Sequence, residues 1–157
     1  MVKKYPMIIV LLLLTLSAMA QMADPVHFSS KLKELKADEA EIVFTATIDA
    51  VWHVYSTNLG NDGPISASFN VVKMEGAETV GKLQARGKEI KQFDKLFEME
   101  LRYFEQAVTF VQKIRFTKPQ YDIDCYLEYG ACNDQSCLPP SEAAFKAAGK
   151  REQSQTP

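Results

Sequence analysis

Two cysteines toward the C-terminal end, Cys132 and Cys137, are separated by Asn133-Asp134-Gln135-Ser136 and followed at once by Leu138-Pro139-Pro140. Four intervening residues let the chain turn back on itself, so the two thiols can close a small ring. The chemistry open to such a pair is a disulfide, either made once as a staple or made and broken as a redox couple. Chain entropy argues against a staple as its main purpose, since a ring of six residues gains only about 2 kcal/mol, against about 3 for one of 15. The loop is also polar, so its sulfurs should be reachable. A third cysteine, Cys125, lies between Ile123 and Leu127 on the apolar face of an alternating run. It reads as a buried thiol acting as a small hydrophobe. Roughly 20 Å of extended chain would separate it from Cys132, so a role as a third redox sulfur would require rearrangement. Zinc is disfavoured: structural sites usually gather two close ligand pairs, and here His27 and His53 stand singly beside one widely spaced pair.

Disulfides persist in oxidising compartments, and the N-terminus reads as a route to one. Lys3 and Lys4 precede an apolar run over residues 7–16 broken only by Thr15, and Ala18-Met19-Ala20 stands before Gln21. This is the pattern of a cleavable secretory signal peptide over residues 1–20. The apolar run is well short of the roughly 20 residues that cross a bilayer. Gln21 in place of a cysteine gives no lipid anchor at the cut. Cleavage leaves one domain's worth of chain, and loss of two lysines takes the net charge from −2 to about −4. Charges of both signs are mixed and no basic stripe interleaves with aromatics, so no nucleic-acid partner is expected. No later apolar stretch is long enough to span, so no membrane insertion is expected after cleavage.

Alternation of apolar and polar residues dominates from Val26 onward. Residues 27–35 and 41–48 read as strands joined by a turn at 36–39, with Ile42, Phe44, Ala46 and Ile48 on one face. Further strands are expected at 51–56, 66–73 (Ala67, Phe69 and Val71 on one face), 80–84, 107–116, 121–129 and 143–147. Residues 57–64 crowd Asn, Gly, Asp and Pro into a loop. Residues 88–101 fit neither period and read as a loop with one helical turn. Residues 149–157 read as a polar, disordered tail, which leaves 21–148 as the domain. Seven or more short strands without long helices point to an all-β sandwich and away from a thioredoxin-like α/β fold.

The stretch from Tyr126 to Pro140, with its strand, cysteine pair, apolar residue and Pro-Pro, resembles the active-site strand and loop of the N-terminal periplasmic domain of DsbD. DsbD is a transmembrane thiol:disulfide interchange protein, and this domain type is also called the disulfide bond corrector. Trp52-His53-Val54-Tyr55-Ser56 is similar to the family's early Trp-x-x-Tyr strand, and Phe93-Asp94-Lys95-Leu96-Phe97 through Tyr103 to the segment carrying its cap loop. The resemblance implies an immunoglobulin-like β-sandwich in the periplasm that works without a cofactor. It implies a thioredoxin-like electron donor, and periplasmic disulfide isomerases or cytochrome-maturation thioredoxins as acceptors. By position, Cys137 would attack the partner and Cys132 would resolve. Leu96 and Phe97 would lie in the cap, Asp94 would be the acid near the pair, and Tyr55 would pack close to it. His53 falls where the family tends to place an aromatic. It is either an ordinary strand histidine or a local base or cation. The loop between the cysteines has four residues where five is usual. With no transmembrane or thioredoxin-like segment in the sequence, the donor is expected to be a separate protein. The alternative, from another class, is a non-catalytic secreted β-sandwich binding module with a structural disulfide.

A thioredoxin activates its cysteine at a helix N-terminus. This loop has no such means, because the residues before Pro139 and Pro140 are pushed to extended geometry. Asp134 inside the ring and Glu128 on the approaching strand disfavour a thiolate. Titration of the free reduced protein with a thiolate-sensitive absorbance should therefore give Cys137 a pKa above about 7, near the ordinary thiol range; a value clearly below 7 would contradict a poorly activated nucleophile.

Overall fold

The period-two runs become antiparallel ladders throughout. The computed structural model describes residues 22–152; the expected signal peptide, and residues 153–157 of the expected tail, lie outside them. In chain order the strands are β1 (Val26–Glu34), β2 (Glu39–Ile48), β3 (His53–Tyr55), β4 (Ser68–Glu75), β5 (Ala77–Arg86), β6 (Ile90–Asp94), β7 (Met99–Phe104), β8 (Ala107–Phe116), β9 (Gln120–Tyr129), β10 (Ala131–Cys132) and β11 (Ser141–Lys150). They form three sheets, ordered β1-β2-β8-β5, β11-β9-β4 and β10-β3-β7-β6.

Seven strands make the sandwich. Counting only β1, β2, β4, β5, β8, β9 and β11, the first, second, fifth and fourth share one sheet, and the seventh, sixth and third share the other. That is the strand order of an immunoglobulin-like sandwich, so the chain is all-β with that architecture. The inward faces meet around Phe44 of β2, whose ring stands edge-on to Phe69 of β4 and Phe145 of β11, each with centroids 6.4 Å away. Ile42, Ala46, Phe110, Ile114 and Leu127 fill the same fully buried layer. One polar side chain enters it. The β5–β8 ladder loses register between Val80 and Gln84, and there the Gln112 amide donates to the carbonyls of Val80 (3.4 Å), Gly81 (3.2 Å) and Lys113 (3.0 Å). A buried amide is tolerated because it is satisfied.

The other four strands are insertions. β3 lies in the connection after β2, the β6–β7 hairpin in that after β5, and β10 in that after β9. Successive sandwich strands alternate direction, so these three connections emerge at one end. There they pair into the third sheet.

Some expectations change. Residues 88–101 are not a loop with a helical turn; they form β6 and the start of β7, registered from Ile90↔Tyr103 to Asp94↔Met99. The strand signal was lost because β6 lies at a sheet edge and Phe93 is 62 % exposed. In β4, Phe69 and Val71 share a face as expected, opposite Leu127 and Cys125, but β4 lies at a sheet edge and its register shifts just after Val71, which is 47 % exposed. The last strand also continues to Lys150, paired with Gln120, beyond the expected domain end.

Candidate functional site

β9 passes into β10 through Gly130, a buried position where a Cβ would meet the Ile65 carbonyl oxygen at 2.8 Å. This close approach lets the Tyr55 N–H donate to the Gly130 carbonyl at 3.1 Å, which starts the β10–β3 ladder of Ala131↔Val54 and Cys132↔His53. Opposed residues in an antiparallel pair share a face, and faces alternate along the strand. Val54 and Ala131 accordingly join the main core, while Cys132 turns to the opposite face. There Tyr55, Leu59, Leu101 and Cys132 form a second, smaller apolar cluster, with Phe97, Met99 and Tyr103 packed against it. Cys132 is only 4 % exposed.

Cys137 lies on the other side of the same bond. Cys132 and Cys137 stand opposite each other as an isolated antiparallel bridge, with Cα atoms 4.0 Å apart and the disulfide formed. The flanking hydrogen bonds are Leu138 N–H to the Ala131 carbonyl and Asn133 N–H to the Ser136 carbonyl, both 2.9 Å. The cysteines thus occupy a non-hydrogen-bonded pair, the position of closest strand approach. Asn133 Oδ1 also accepts from the amides of Gln135 (2.9 Å) and Ser136 (2.7 Å), closing the turn as an aspartate or asparagine commonly does. The ring is therefore folded by its own hydrogen bonds as well as by the sulfur bond, and Cys137 is exposed on its rim.

The β6–β7 hairpin leans over this pair. Asp94 Oδ1 accepts from the amides of Leu96 (2.7 Å) and Phe97 (3.0 Å), and Glu98 completes the turn in the left-handed region at φ 52°. The hairpin delivers Phe97 to the Cys132 cluster and leaves Leu96 84 % exposed. A polar brace sets the other wall. Ser56 Oγ (2.6 Å) and Arg102 Nη1 (3.1 Å) both donate to Glu89 Oε1, and Arg102 Nη2 donates to the Thr57 and Asn58 carbonyls. This pins the 57–66 loop so that Leu59 reaches the cluster.

His53 sits beside the pair with its ring centroid 4.6 Å from that of Tyr103 and 5.1 Å from that of Tyr55. Its Nε2 is 3.2 Å from Tyr55 Oη. Burial pushes the imidazole below the usual histidine range, partly offset by Glu105, Asp134 and Asp94. Burial pushes the Tyr55 phenol up, helped by Asp94 and Tyr103. These groups border an open cleft of about 420 Å³. Cys125 takes no part in it. It is 1 % exposed in the main core, opposite Phe145, and burial, with Asp124 adding, pushes its thiol up to about 12.

Of the residues singled out from the sequence, the structure gathers Cys132, Cys137, Tyr55, His53, Asp94 and Phe97 at one end of the molecule, with Leu96 turned to solvent. Leu59, Leu101, Asn133 and the Ser56–Glu89–Arg102 brace were not anticipated. Leu59 had a signal, as the lone aliphatic residue in a polar loop. Asn133 had one as well, a turn-forming amide directly after a cysteine. The brace had none, because its members are far apart in sequence.

Among solved structures, the N-terminal periplasmic domain of ScsB from Proteus mirabilis is 10 % identical, with a TM-score of 0.56 over 79 % of this chain and 46 % of that one. The chain thus spans less than half the length of that structure, and the likeness is one of fold. The DsbD N-terminal domain of Neisseria meningitidis in the reduced form is 15 % identical, with a TM-score of 0.45 over 78 % of this chain and 86 % of that one. The complex between the DsbD and PilB N-terminal domains of the same organism contains a chain 14 % identical, with a TM-score of 0.42 over 82 % of this chain and 89 % of that one. No curated protein matches. The family described as "Thiol:disulfide interchange protein DsbD, N-terminal" matches residues 20–149, from before the first described strand to within a residue of the end of the last. With that match across the whole sandwich and its cysteine-bearing end, this chain belongs to the DsbD N-terminal domain family.

Proposed function

We propose that this protein is a periplasmic carrier of reducing equivalents, accepting two electrons and two protons from a thioredoxin-like donor. It passes them to periplasmic disulfide proteins, such as disulfide isomerases or cytochrome-maturation thioredoxins, through the Cys132–Cys137 pair. The observation that carries this reading is the asymmetry of that pair, with one sulfur in an apolar cluster and its partner exposed on a rim. Export by the expected signal peptide supports the compartment.

In the reduced protein the Cys137 thiolate attacks a sulfur of the acceptor disulfide, forming a mixed disulfide and releasing the acceptor's other sulfur as a thiol. Cys132 then attacks Cys137 Sγ. The Cys132–Cys137 bond forms, the bond to the acceptor breaks, and the acceptor leaves as a dithiol. Two electrons have moved from this chain to the acceptor. A donor dithiol reverses the sequence. Attack on Cys132 from outside is blocked by its burial, so both half-reactions pass through Cys137. Phe97 packs on the cluster that holds Cys132 and Tyr55, so release of Cys132 as the leaving sulfur when Cys137 is attacked requires the hairpin tip that carries Phe97 to move. With no helix dipole to activate it and with Asp134 in the ring, Cys137 exchanges slowly with small oxidants. This suits a carrier that must hold its electrons until it meets a partner.

Equilibration with graded glutathione or dithiothreitol ratios, followed by thiol trapping, should give a midpoint between about −180 and −270 mV. A midpoint below about −300 mV is the property of a staple and would favour the binding-module reading. Phe97→Ala should speed reduction of the disulfide by dithiothreitol, since loss of about 1.4 kcal/mol of packing raises an open population about tenfold. Leu96→Ala should leave that rate unchanged. Equal rates for both variants and the native protein would show that the hairpin does not shield the pair.

A further inference from the structure

The resolving step needs somewhere to put a proton. Cys132 must lose its proton to attack Cys137, and it does so in a cluster built with Tyr55, Leu59 and Leu101. Burial disfavours a thiolate, and no helix is present among the described residues to stabilise one through its N-terminus. One titratable base stands next to it. His53 is the cross-strand partner of Cys132, and partners in an antiparallel pair project to the same face with β carbons about 5 Å apart.

Resting on the exchange reading above, we infer that His53 is the proton acceptor of the resolving step. Its imidazole takes the Cys132 proton as Cys132 attacks Cys137 and returns it to the departing partner sulfur. The atoms balance: the S–H bond of Cys132 and the Cys137–partner S–S bond break, and the Cys132–Cys137 bond and a partner S–H bond form. The electron pair leaves with the partner, and His53 ends as it began.

The surroundings of the ring suit that task. Contact between Nε2 and Tyr55 Oη at 3.2 Å leaves Nδ1 as the free nitrogen. Packing against Tyr55 and Tyr103 fixes the ring plane. The charged and titratable groups facing it come from every adjoining element: Tyr55 on β3, Asp94 at the end of β6, Tyr103 on β7, Glu105 just beyond β7, and Asp134 in the cysteine ring. Lys95 lines the same cleft. Burial holds the resting ring neutral, which is the form that accepts a proton, and the three carboxylates favour the imidazolium once it forms.

The probe is 4,4′-dithiodipyridine, whose neutrality removes bias from the carboxylates. Mixed rapidly with pre-reduced protein, it releases one pyridinethione when Cys137 attacks and a second when Cys132 resolves. His53→Phe keeps the ring between the two tyrosines, and His53→Gln keeps a polar contact; neither can accept the proton. At pH 7 the ratio of second-phase to first-phase rate should fall about 100-fold in both variants. In the native protein the second phase should level off above the pH at which His53 loses its proton, whereas in the variants it should keep rising with pH. An unchanged ratio would overturn the inference. So would a parallel slowing of both phases with a lowered melting temperature and an unaltered pH profile, which is the mark of a merely structural histidine. Release of a single equivalent by the native protein would instead overturn the exchange reading itself, and this inference with it.

Discussion

The working end of this molecule depends on where two sulfurs fall within one antiparallel pair. Cys132 and Cys137 face each other at a rung that carries no backbone hydrogen bonds of its own, between two rungs that do. Strands approach most closely at such a rung. The Asn133 side chain and the flanking backbone bonds hold the turn without help from the sulfurs. Reduction therefore removes one covalent bond and leaves the geometry that re-forms it. Most of the entropy of closing so small a ring is met by the hairpin, so little stability is at stake when the bond opens, as a bond that is to be broken repeatedly requires.

The second constraint is directional. Because the sandwich strands alternate, the connections after β2, β5 and β9 share one end, and each carries an insertion. The first supplies Tyr55 and His53, the second supplies Phe97 and Asp94, and the third supplies the cysteines. None of these residues belongs to the main core, which the three connections enter through other residues, among them Val54, Phe104 and Ala131. Folding stability and exchange chemistry thus occupy separate clusters. The large one, centred on Phe44, fixes the frame. The small one around Cys132 has few members and an exposed hairpin tip above it, so it can open locally while the frame stays closed. The Ser56–Glu89–Arg102 brace limits that opening to the hairpin side, since it ties down the loop that carries Leu59.

The sandwich was legible wherever one face of a strand was buried. β9 follows its period-two pattern almost residue for residue, the expected inward residues of β2 and β8 are buried although Glu41, Val43 and Val111 on their other faces are buried too, and the buried character of Cys125 follows from its place in β9. Legibility failed where burial failed. β6 is an edge strand with Phe93 in solvent, so its apolar residues carry no periodic signal, and at the edge strand β4 Val71 is half exposed although it stands opposite the buried Cys125. At the site, the cysteine pair announced itself by spacing, and the family pattern pointed to Tyr55, Asp94 and Phe97. The difference between Leu96 and Phe97 was not readable, because it depends on how the Asp94 carboxylate winds a four-residue turn. The resemblance implied unequal roles for the two sulfurs, but not their unequal burial, which arises only when β10 pairs with β3.

That inequality is the central claim. The most direct measurement compares Cys132→Ala and Cys137→Ala proteins, each mixed with an oxidised thioredoxin-fold partner, by non-reducing electrophoresis and mass spectrometry of the adduct. A stable mixed disulfide should accumulate through Cys137 in the Cys132→Ala protein and be absent or far slower in the Cys137→Ala protein, whose remaining sulfur is buried. Equal accumulation in both, or an adduct held only through Cys132, would contradict it.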